Sequence, residues 1–267
     1  MRLYDHTVIP VTLAVAFVLA LSSLGSEEER LDAFALSQAM EKPWPAPATT
    51  LSTPVAFGAE WGDIFMGMHF VHRTRYSLIP SGAAFVGFGI GDSRKFAALE
   101  IAVLLQDLDR LFNSGAVSFK LHRTLSDGFA LAIGAENAIT WGLRGRWYSF
   151  FAVASKYFSL RENPNKPFSE LVLHVGIGDG RFLREKDALS EKESVNVFGA
   201  ISLRLLPPLS FIANWSGQDL GLGVSITPFR DFPAIINLSL LDVTRTAGDG
   251  SRFRIALGYG SPIFGTP

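Results

Sequence analysis

Between Leu209 and Gly260 the chain sets out four runs of about eight to ten residues in which large apolar side chains alternate with small or polar ones. In the first run Leu209, Phe211, Ala213 and Trp215 face one way, and Ser210, Ile212, Asn214 and Ser216 the other. The second sets Leu220, Leu222, Val224 and Ile226 against Gly221, Gly223, Ser225 and Thr227, and the last sets Phe253, Ile255, Leu257 and Tyr259 against Arg252, Arg254, Ala256 and Gly258. A period of two is the strand period, so each run predicts a strand with one apolar face. Ser216 to Asp219, Pro228 to Pro233 and the Gly248-Asp249-Gly250 turn are tight connections between them. The predicted unit is an antiparallel meander.

The same pattern runs upstream. It predicts strands at Ile64 to His72, Ala84 to Gly91, Ala97 to Leu105, Ala116 to His122, Gly128 to Ala138, Trp147 to Phe158, Ser169 to Gly178 and Val195 to Leu205. With the four C-terminal runs this makes about twelve strands, and counting Val55 to Trp61 and Ile139 to Leu143 gives an alternative of fourteen. Trp147 to Phe158 alternates poorly, so its facing is the least determined. If both ends share one side, the connections sort into a short set and a longer, more charged set. Ser159 to Phe168 is too long for its side, and Ser216 to Asp219 too short.

Which face is apolar decides the class. A soluble barrel turns apolar residues inward and long charged ones to water. Here the other face is mostly Gly, Ala, Ser and Asn with scattered charges, which suits a crowded lumen; the large aliphatics then meet lipid. Composition agrees: 48% of residues are hydrophobic and only 18% charged, below the roughly 25% of an average soluble domain. Only helices and closed barrels satisfy their backbone within a bilayer. The predicted fold is all-β, a transmembrane antiparallel meander β-barrel.

Ahead of the strands, Met1 to Ser22 reads as a secretory signal peptide: Arg2, an apolar stretch from Ile9 to Leu21, and the cleavage candidate Ala20-Leu21-Ser22. A retained inner-membrane anchor is the alternative. Ser26 to Lys42 predicts a short periplasmic helix or plug segment, and Pro43 to Pro54 a linker. The expected division is signal 1–22, periplasmic helix and linker 23–54, and outer-membrane barrel 55–267.

Few motifs carry chemistry. Gly87-Phe-Gly89-Ile-Gly91 and Gly176-Ile-Gly178-Asp179-Gly180 have glycines at period two inside strands, so they read as lumen spacers and not as a phosphate-binding turn before a helix. The chain has no cysteine, which removes disulfides and thiol chemistry, and its net charge of −1 with no basic block gives no case for nucleic acid. His122 with Ser118 or Ser126, and His174 with Glu170, are the combinations a lipid-modifying barrel enzyme would draw on, but neither has a recognisable triad spacing. The histidines have no metal-site spacing, and no cofactor is expected. The expectation is a non-enzyme.

The charges of lumen parity are more informative. Lys120, Arg204, Arg252 and Arg254, with His122, fall on the same side as Glu100, Glu136 and Glu170. These eight are the candidate pore-lining residues, expected to pair across the interior and set which ions pass. The bland reading is that they close a narrow interior without conducting.

The run Asn214-Trp-Ser-Gly-Gln-Asp-Leu-Gly-Leu-Gly-Val-Ser-Ile-Thr-Pro-Phe-Arg-Asp-Phe-Pro, with Arg252-Phe-Arg-Ile-Ala-Leu-Gly-Tyr-Gly, Gly176 to Phe182 and Asn196-Val-Phe-Gly, resembles uncharacterised outer-membrane barrels of cyanobacteria. More distantly it resembles barrels associated with exopolysaccharide export. The resemblance spans roughly Phe57 to Gly260 and implies architecture more than activity. The expected function is a narrow outer-membrane channel for small solutes or ions. A non-conducting structural or export-associated barrel, with an envelope partner at the 179–194 loop, is the second expectation. Expected partners are outer-membrane lipids and a small permeant.

Overall fold

Strand follows strand along the chain, and each pairs antiparallel with the next. The computed structural model describes residues 43–262 apart from 107–109, 111, 126–127, 144–147, 186, 188–189, 191–193 and 246. The strands are β1 Asp63–Val71, β2 Ser81–Gly91, β3 Ala98–Gln106, β4 Ser114–Thr124, β5 Phe129–Trp141, β6 Ser149–Ser159, β7 Glu170–Gly178, β8 Asn196–Leu206, β9 Leu209–Trp215, β10 Leu220–Ile226, β11 Ala234–Leu241 and β12 Arg252–Pro262. β12 pairs back onto β1, with Gly67 opposite Gly258, so the sheet closes into a twelve-stranded barrel with no free edge. The expected signal peptide, 1–22, and the expected helix from Ser26 to Lys42 lie outside the described residues.

The wall has the expected polarity. Met66, Met68, Phe70, Val86, Phe88, Ile90, Leu131, Ile133, Val175, Ile177, Val197 and Ile201 stand exposed on the outside. The alternate positions, such as Ala130, Ala132, His174, Ser202 and Asn214, are buried inside. An outer surface so apolar, on a sheet whose backbone is fully paired, is a surface that lipid covers. Exposed aromatics gather at both rims: Trp61, Phe96, Phe168, Phe229 and Phe232 at the end of the short turns, and Phe112, Tyr148 and Trp215 at the end of the long loops. Such girdles mark the two interfaces of a membrane.

Two expectations need correction. The fourteen-strand alternative fails because Val55 to Trp61 adds no strand; only Trp61 forms a single bridge, to Gly89. Ile139 to Trp141 is no separate strand but the end of β5. A bulge divides that strand: Val117 pairs with Ile139 and Phe119 with Ala135, so Glu136, Asn137 and Ala138 together face Ser118. Asn137 absorbs the bend at φ 53°, a conformation its side chain tolerates, and its N–H donates to the Ser118 hydroxyl at 2.9 Å.

The facing of β6, which its sequence left undetermined, is seen in the structure. Phe151 and Val153 point inward, with Ser149 and Ser155, while Phe150 is outside. Interior rings are accommodated because each lies over a glycine of the neighbouring strand. A Cβ on Gly134 would sit 2.4 Å from the Phe151 ring, and one on Gly176 2.3 Å from Phe198. Phe182, from the 3-10 turn Gly180–Phe182, stacks on Phe198 with centroids 4.3 Å apart. These rings with Ala56, Ala130, Ala132 and Val153 make a small dry core inside the barrel. Sequence parity alone could not place it, because large residues occur on both faces of β6.

The polarity of the wall gives a direct test. Val175 is 62% exposed at the middle of β7. Val175→Arg is expected to lower the stability of the barrel refolded in lipid by about 2–4 kcal/mol, the midplane cost of a lipid-facing cation. Urea titration followed by heat-dependent gel mobility measures it; an unchanged midpoint would mean that this face does not meet lipid.

Candidate functional site: a lumen occupied by residues 44–60

Residues 44–60 are not strung along the outside of the barrel. They run inside it. Trp44 and Pro45 lie at the short-turn rim, where the Trp44 N–H donates to Asn165 Oδ1 at 3.3 Å and the Thr227 hydroxyl donates to the Pro45 carbonyl at 3.2 Å. The Ala48 N–H reaches Ser225 Oγ at 2.8 Å. The segment climbs to an apex at Thr50 to Thr53 and descends through Ala56, Phe57 and Ala59 to Glu60. There Glu60 accepts a hydrogen bond of 2.5 Å from Ser93 in the β2–β3 turn. It therefore enters and leaves at the same rim.

Its composition explains why it is not a strand. Pro43, Pro45, Pro47 and Pro54 lack N–H groups and cannot join a ladder. The carbonyls and remaining N–H groups still need partners once buried. The barrel wall supplies them through side chains. At the apex, Asn214 Oδ1 accepts from the Thr50 hydroxyl (2.7 Å), the Thr53 hydroxyl (3.0 Å) and the Leu51 N–H (3.2 Å). Ser155 Oγ accepts from the Ala56 N–H at 2.8 Å and contacts His174 Nδ1 at 2.7 Å, while His174 Nε2 meets the Thr49 hydroxyl at 2.9 Å. The cations serve the carbonyls: Arg254 to Leu51, 2.8 Å; Arg181 to Ser52, 2.9 Å; Lys120 to Phe57, 3.0 Å.

All eight charged or histidine residues singled out by parity therefore lie on the inner wall, but they do not pair across an open space. Lys120 and Glu100 are register neighbours on β4 and β3, 3.0 Å apart. Arg204 binds Glu170 at 2.5 Å on the adjoining strand and spends its other donors on the carbonyls of Trp44, Pro45 and Pro207. Glu136 is held by Arg181, and Arg252 by Asp219 at 2.6 Å. His122 Nε2 meets the Ala59 carbonyl at 3.1 Å, and Glu100 accepts the Ala59 N–H at 3.0 Å. The centre of the barrel is already filled, so charges pair with neighbours and with the segment.

The fit is close at Gly58 and Gly89. A Cβ on Gly58 would lie 2.7 Å from Glu100 Oε2 and 2.8 Å from His122 Nε2, and one on Gly89 would lie 2.3 Å from the Ala59 carbonyl. Two cavities remain. One, of about 850 Å³, runs beside the segment from the level of the apex, at Ser52, Arg181 and Arg254, down past Phe85 to Glu100 and Lys120. The second, of about 860 Å³, lies below, under Phe57, Gly58 and Glu60. Phe57 and Gly58 line the second, and Lys120 of the first holds the Phe57 carbonyl.

No arrangement for catalysis comes together from the pairs considered in the sequence. His174 does not meet Glu170, which is taken by Arg204, and Ser126 lies outside the described residues. Ser118 is used by Asn137. The His174–Ser155 contact, absent from the sequence reading, has the distance of a base and a nucleophile. Both residues are fully buried beneath the segment, however, and the outer nitrogen of the ring faces Thr49 and not a carboxylate. Among the described residues no group of three acidic or histidine side chains is placed to hold a metal ion. Asn214, Ser155, Arg181 and Asp219 were not picked out as site residues. For Asn214 and Ser155 the available signal was an uncharged polar side chain at lumen parity; Arg181 and Asp219 lie in connections, where parity assigns no face.

The long loops form a second layer of contacts. Arg73 binds Asp249 at 2.5 Å, Arg75 binds Asp219 at 2.6 Å, and the Tyr76 hydroxyl donates to Glu185. That bond holds the Glu185 carboxyl below the usual carboxylate range. A lowered folded-state value means the contact contributes above the ordinary glutamate range and is lost as pH falls through the lowered value. Protease nicking between Arg73 and Gly82 is therefore expected to rise on acidification below about pH 4 in the wild type. In Glu185→Gln it should stay constant between neutral pH and that range; an identical pH response in both would remove this contact from the cap.

The segment's anchorage is testable because the chain contains no cysteine. A single Ser52→Cys reporter is expected to react slowly with a membrane-impermeant maleimide. Adding Asn214→Ala, which removes the apex acceptor at a cost of about 1–3 kcal/mol, should speed labelling while the folded barrel keeps its gel shift. Equal labelling rates would show that Asn214 does not hold the apex.

Against known proteins, no family model matches the chain and no curated protein matches it. Among solved structures it is similar to the NanC porin, at 10% identity and a TM-score of 0.41 over 74% of this chain and 98% of that one. It is also similar to the COG4313 outer membrane channel from Pseudomonas putida F1, at 10% identity and a TM-score of 0.42 over 79% and 98%. Likeness at this level says nothing about what this chain passes.

Proposed function

We propose that the protein is an outer-membrane channel for small solutes or ions whose lumen is narrowed by its own residues 44–60. One observation carries this reading. A closed wall with a charged inner face holds a cavity of about 850 Å³ beside the segment and one of about 860 Å³ at the short-turn rim, under Phe57 and Gly58. What narrows the lumen is a stretch of chain held by side-chain hydrogen bonds and not by a sheet ladder. Hydrogen bonds of this kind contribute about 0.5–1.5 kcal/mol each, so the segment is far easier to displace than a strand. Glu100, Lys120, Glu136 and Arg254 border the upper cavity and are the residues to set ion preference. Arg204, Glu170 and Arg252 act in this reading as structural anchors. Export to the outer membrane follows from the lipid-facing wall together with the signal-like start of the chain.

The filled lumen favours a second reading, a non-conducting barrel of the cell envelope, of the export-associated kind, that docks a partner at residues 179–194. The two part company in a planar bilayer. The channel reading expects brief or small conductance steps from the full chain and larger, longer-lived steps after deletion of residues 46–58. Lys120→Glu should then shift selectivity towards cations. Silence from both proteins, each confirmed as a folded barrel by gel shift, would overturn the channel reading and leave the envelope barrel.

A further inference from the structure

Guanidinium groups crowd the inner wall at the level of the segment's apex. Arg75 and Arg252 both bind the same oxygen of Asp219 at 2.6 Å, and its other oxygen takes the Ser216 hydroxyl at 2.7 Å. Glu136 is engaged by Arg181 through two donors. Asp242, close to Arg252, is buried against the Ala247 N–H, and Glu185 is held by Tyr76. Lower in the same cavity Glu100 is neutralised by Lys120. Among the described residues, Arg254 alone of these arginines has no carboxylate partner; its single hydrogen bond goes to the Leu51 carbonyl.

The donors left over point to a ligand. The Nε–H groups of Arg75, Arg252 and Arg254 are buried and have no acceptor among the described residues. A buried donor without an acceptor costs about 1–3 kcal/mol, and three on one wall are a standing demand for an anion. Arg254, Arg181 and Arg75 all border the 850 Å³ cavity, and Arg254 and Arg181 grip the adjacent carbonyls of Leu51 and Ser52, close enough for the two cations to act on each other. Phe85, Leu104 and Phe151 give one part of that cavity an apolar lining, beside polar residues that include Gln106, Ser118, Glu136 and Asn137. Phe151 and Phe85 present rings over glycines of the neighbouring strands.

We infer that this cavity is a binding site for a small monocarboxylate with an apolar body, its carboxylate held by Arg254 and Arg181 and its body against Phe85, Leu104 and Phe151. Planar guanidinium forks match a carboxylate in geometry as well as charge. The apolar half excludes strongly hydrated anions such as sulfate, which would have to shed water against rings that offer no hydrogen bond. An anion on Arg254 also competes with the Leu51 carbonyl, so the same ligand that binds here weakens the hold on the apex.

The test is calorimetric titration of the full chain, folded in detergent, with benzoate, with its neutral isostere benzamide and with sulfate. Saturable benzoate binding, absent for benzamide and sulfate, is expected. Arg254→Gln should weaken it roughly tenfold or more, the value of one charge-assisted hydrogen bond. Because Arg254 also steadies the segment, Arg181→Gln, on the loop side, is the second variant and should weaken binding in the same direction. Benzoate and benzamide binding alike, or benzoate affinity unchanged in both variants with the gel shift intact, would overturn the site. Sulfate binding as tightly as benzoate would overturn its apolar half. The use of the site in passage rests on the channel reading, but binding does not. A folded barrel that binds benzoate and never conducts defeats only the channel, and one that conducts without binding defeats only this inference.

Discussion

A buried backbone must find hydrogen-bond partners, and in this barrel that requirement falls on seventeen residues that have no strand to pair with. The wall satisfies itself: each of the twelve strands is paired on both sides. Residues 44–60 cannot do the same, because their prolines interrupt any ladder. The inner wall supplies partners instead, one at a time, through Asn214, Ser155, Ser225, Lys120, Arg181, Arg204 and Arg254. The buried polar residues of the lumen, the close glycine contacts and the small apolar core around Phe151 and Phe198 all follow from holding that stretch of chain in place. Without it, most interior charges would keep only their neighbouring ion pairs, and Arg254 would lose its one acceptor.

This division of labour has a consequence for passage. A plug that was a folded domain or an additional strand would have to unfold to open the lumen. Here the obstruction is a loop that enters and leaves at one rim, with its apex attached by groups that an incoming solute or ion can replace. Arg254 is the clearest case, since its acceptor is a neutral carbonyl and a carboxylate would satisfy it better. The anchors differ in this respect. Arg204 is buried with Glu170 and three carbonyls at the short-turn rim, where the segment enters, and the Ser93–Glu60 contact ties down the other end.

Much of the wall was legible in the sequence, because alternation at period two is direct evidence of which residues share a face. Val86, Phe88 and Ile90 stand outside, as do Val175 and Ile177, and the strand count of twelve holds. Parity breaks down where a strand carries bulk on both faces: in β6 the inward Phe151 is tolerated only because Gly134 lies beside it on β5, a relation between strands that no single run displays. The fourteen-strand alternative failed for a related reason. Ile139 belongs to β5 across a bulge that resets the period, and Val55 to Trp61 alternates without pairing. The interior charges were found by parity but not their partners. Pairing depends on what occupies the centre, and the occupant, a Pro-, Ala- and Thr-rich stretch, has the composition of a linker.

The central claim is that residues 44–60 sit inside the folded barrel. The Ala48 N–H lies 2.8 Å from the Ser225 hydroxyl on the inner face of β10, and the chain has no cysteine of its own. An Ala48→Cys, Ser225→Cys double variant, refolded in lipid and exposed to mild oxidant, tests this directly. The account predicts an intramolecular disulfide that forms in the folded barrel and is visible as a mobility change reversed by reductant. Failure to cross-link, with both thiols reacting with maleimide as fast as a free peptide while the barrel remains folded, would contradict it.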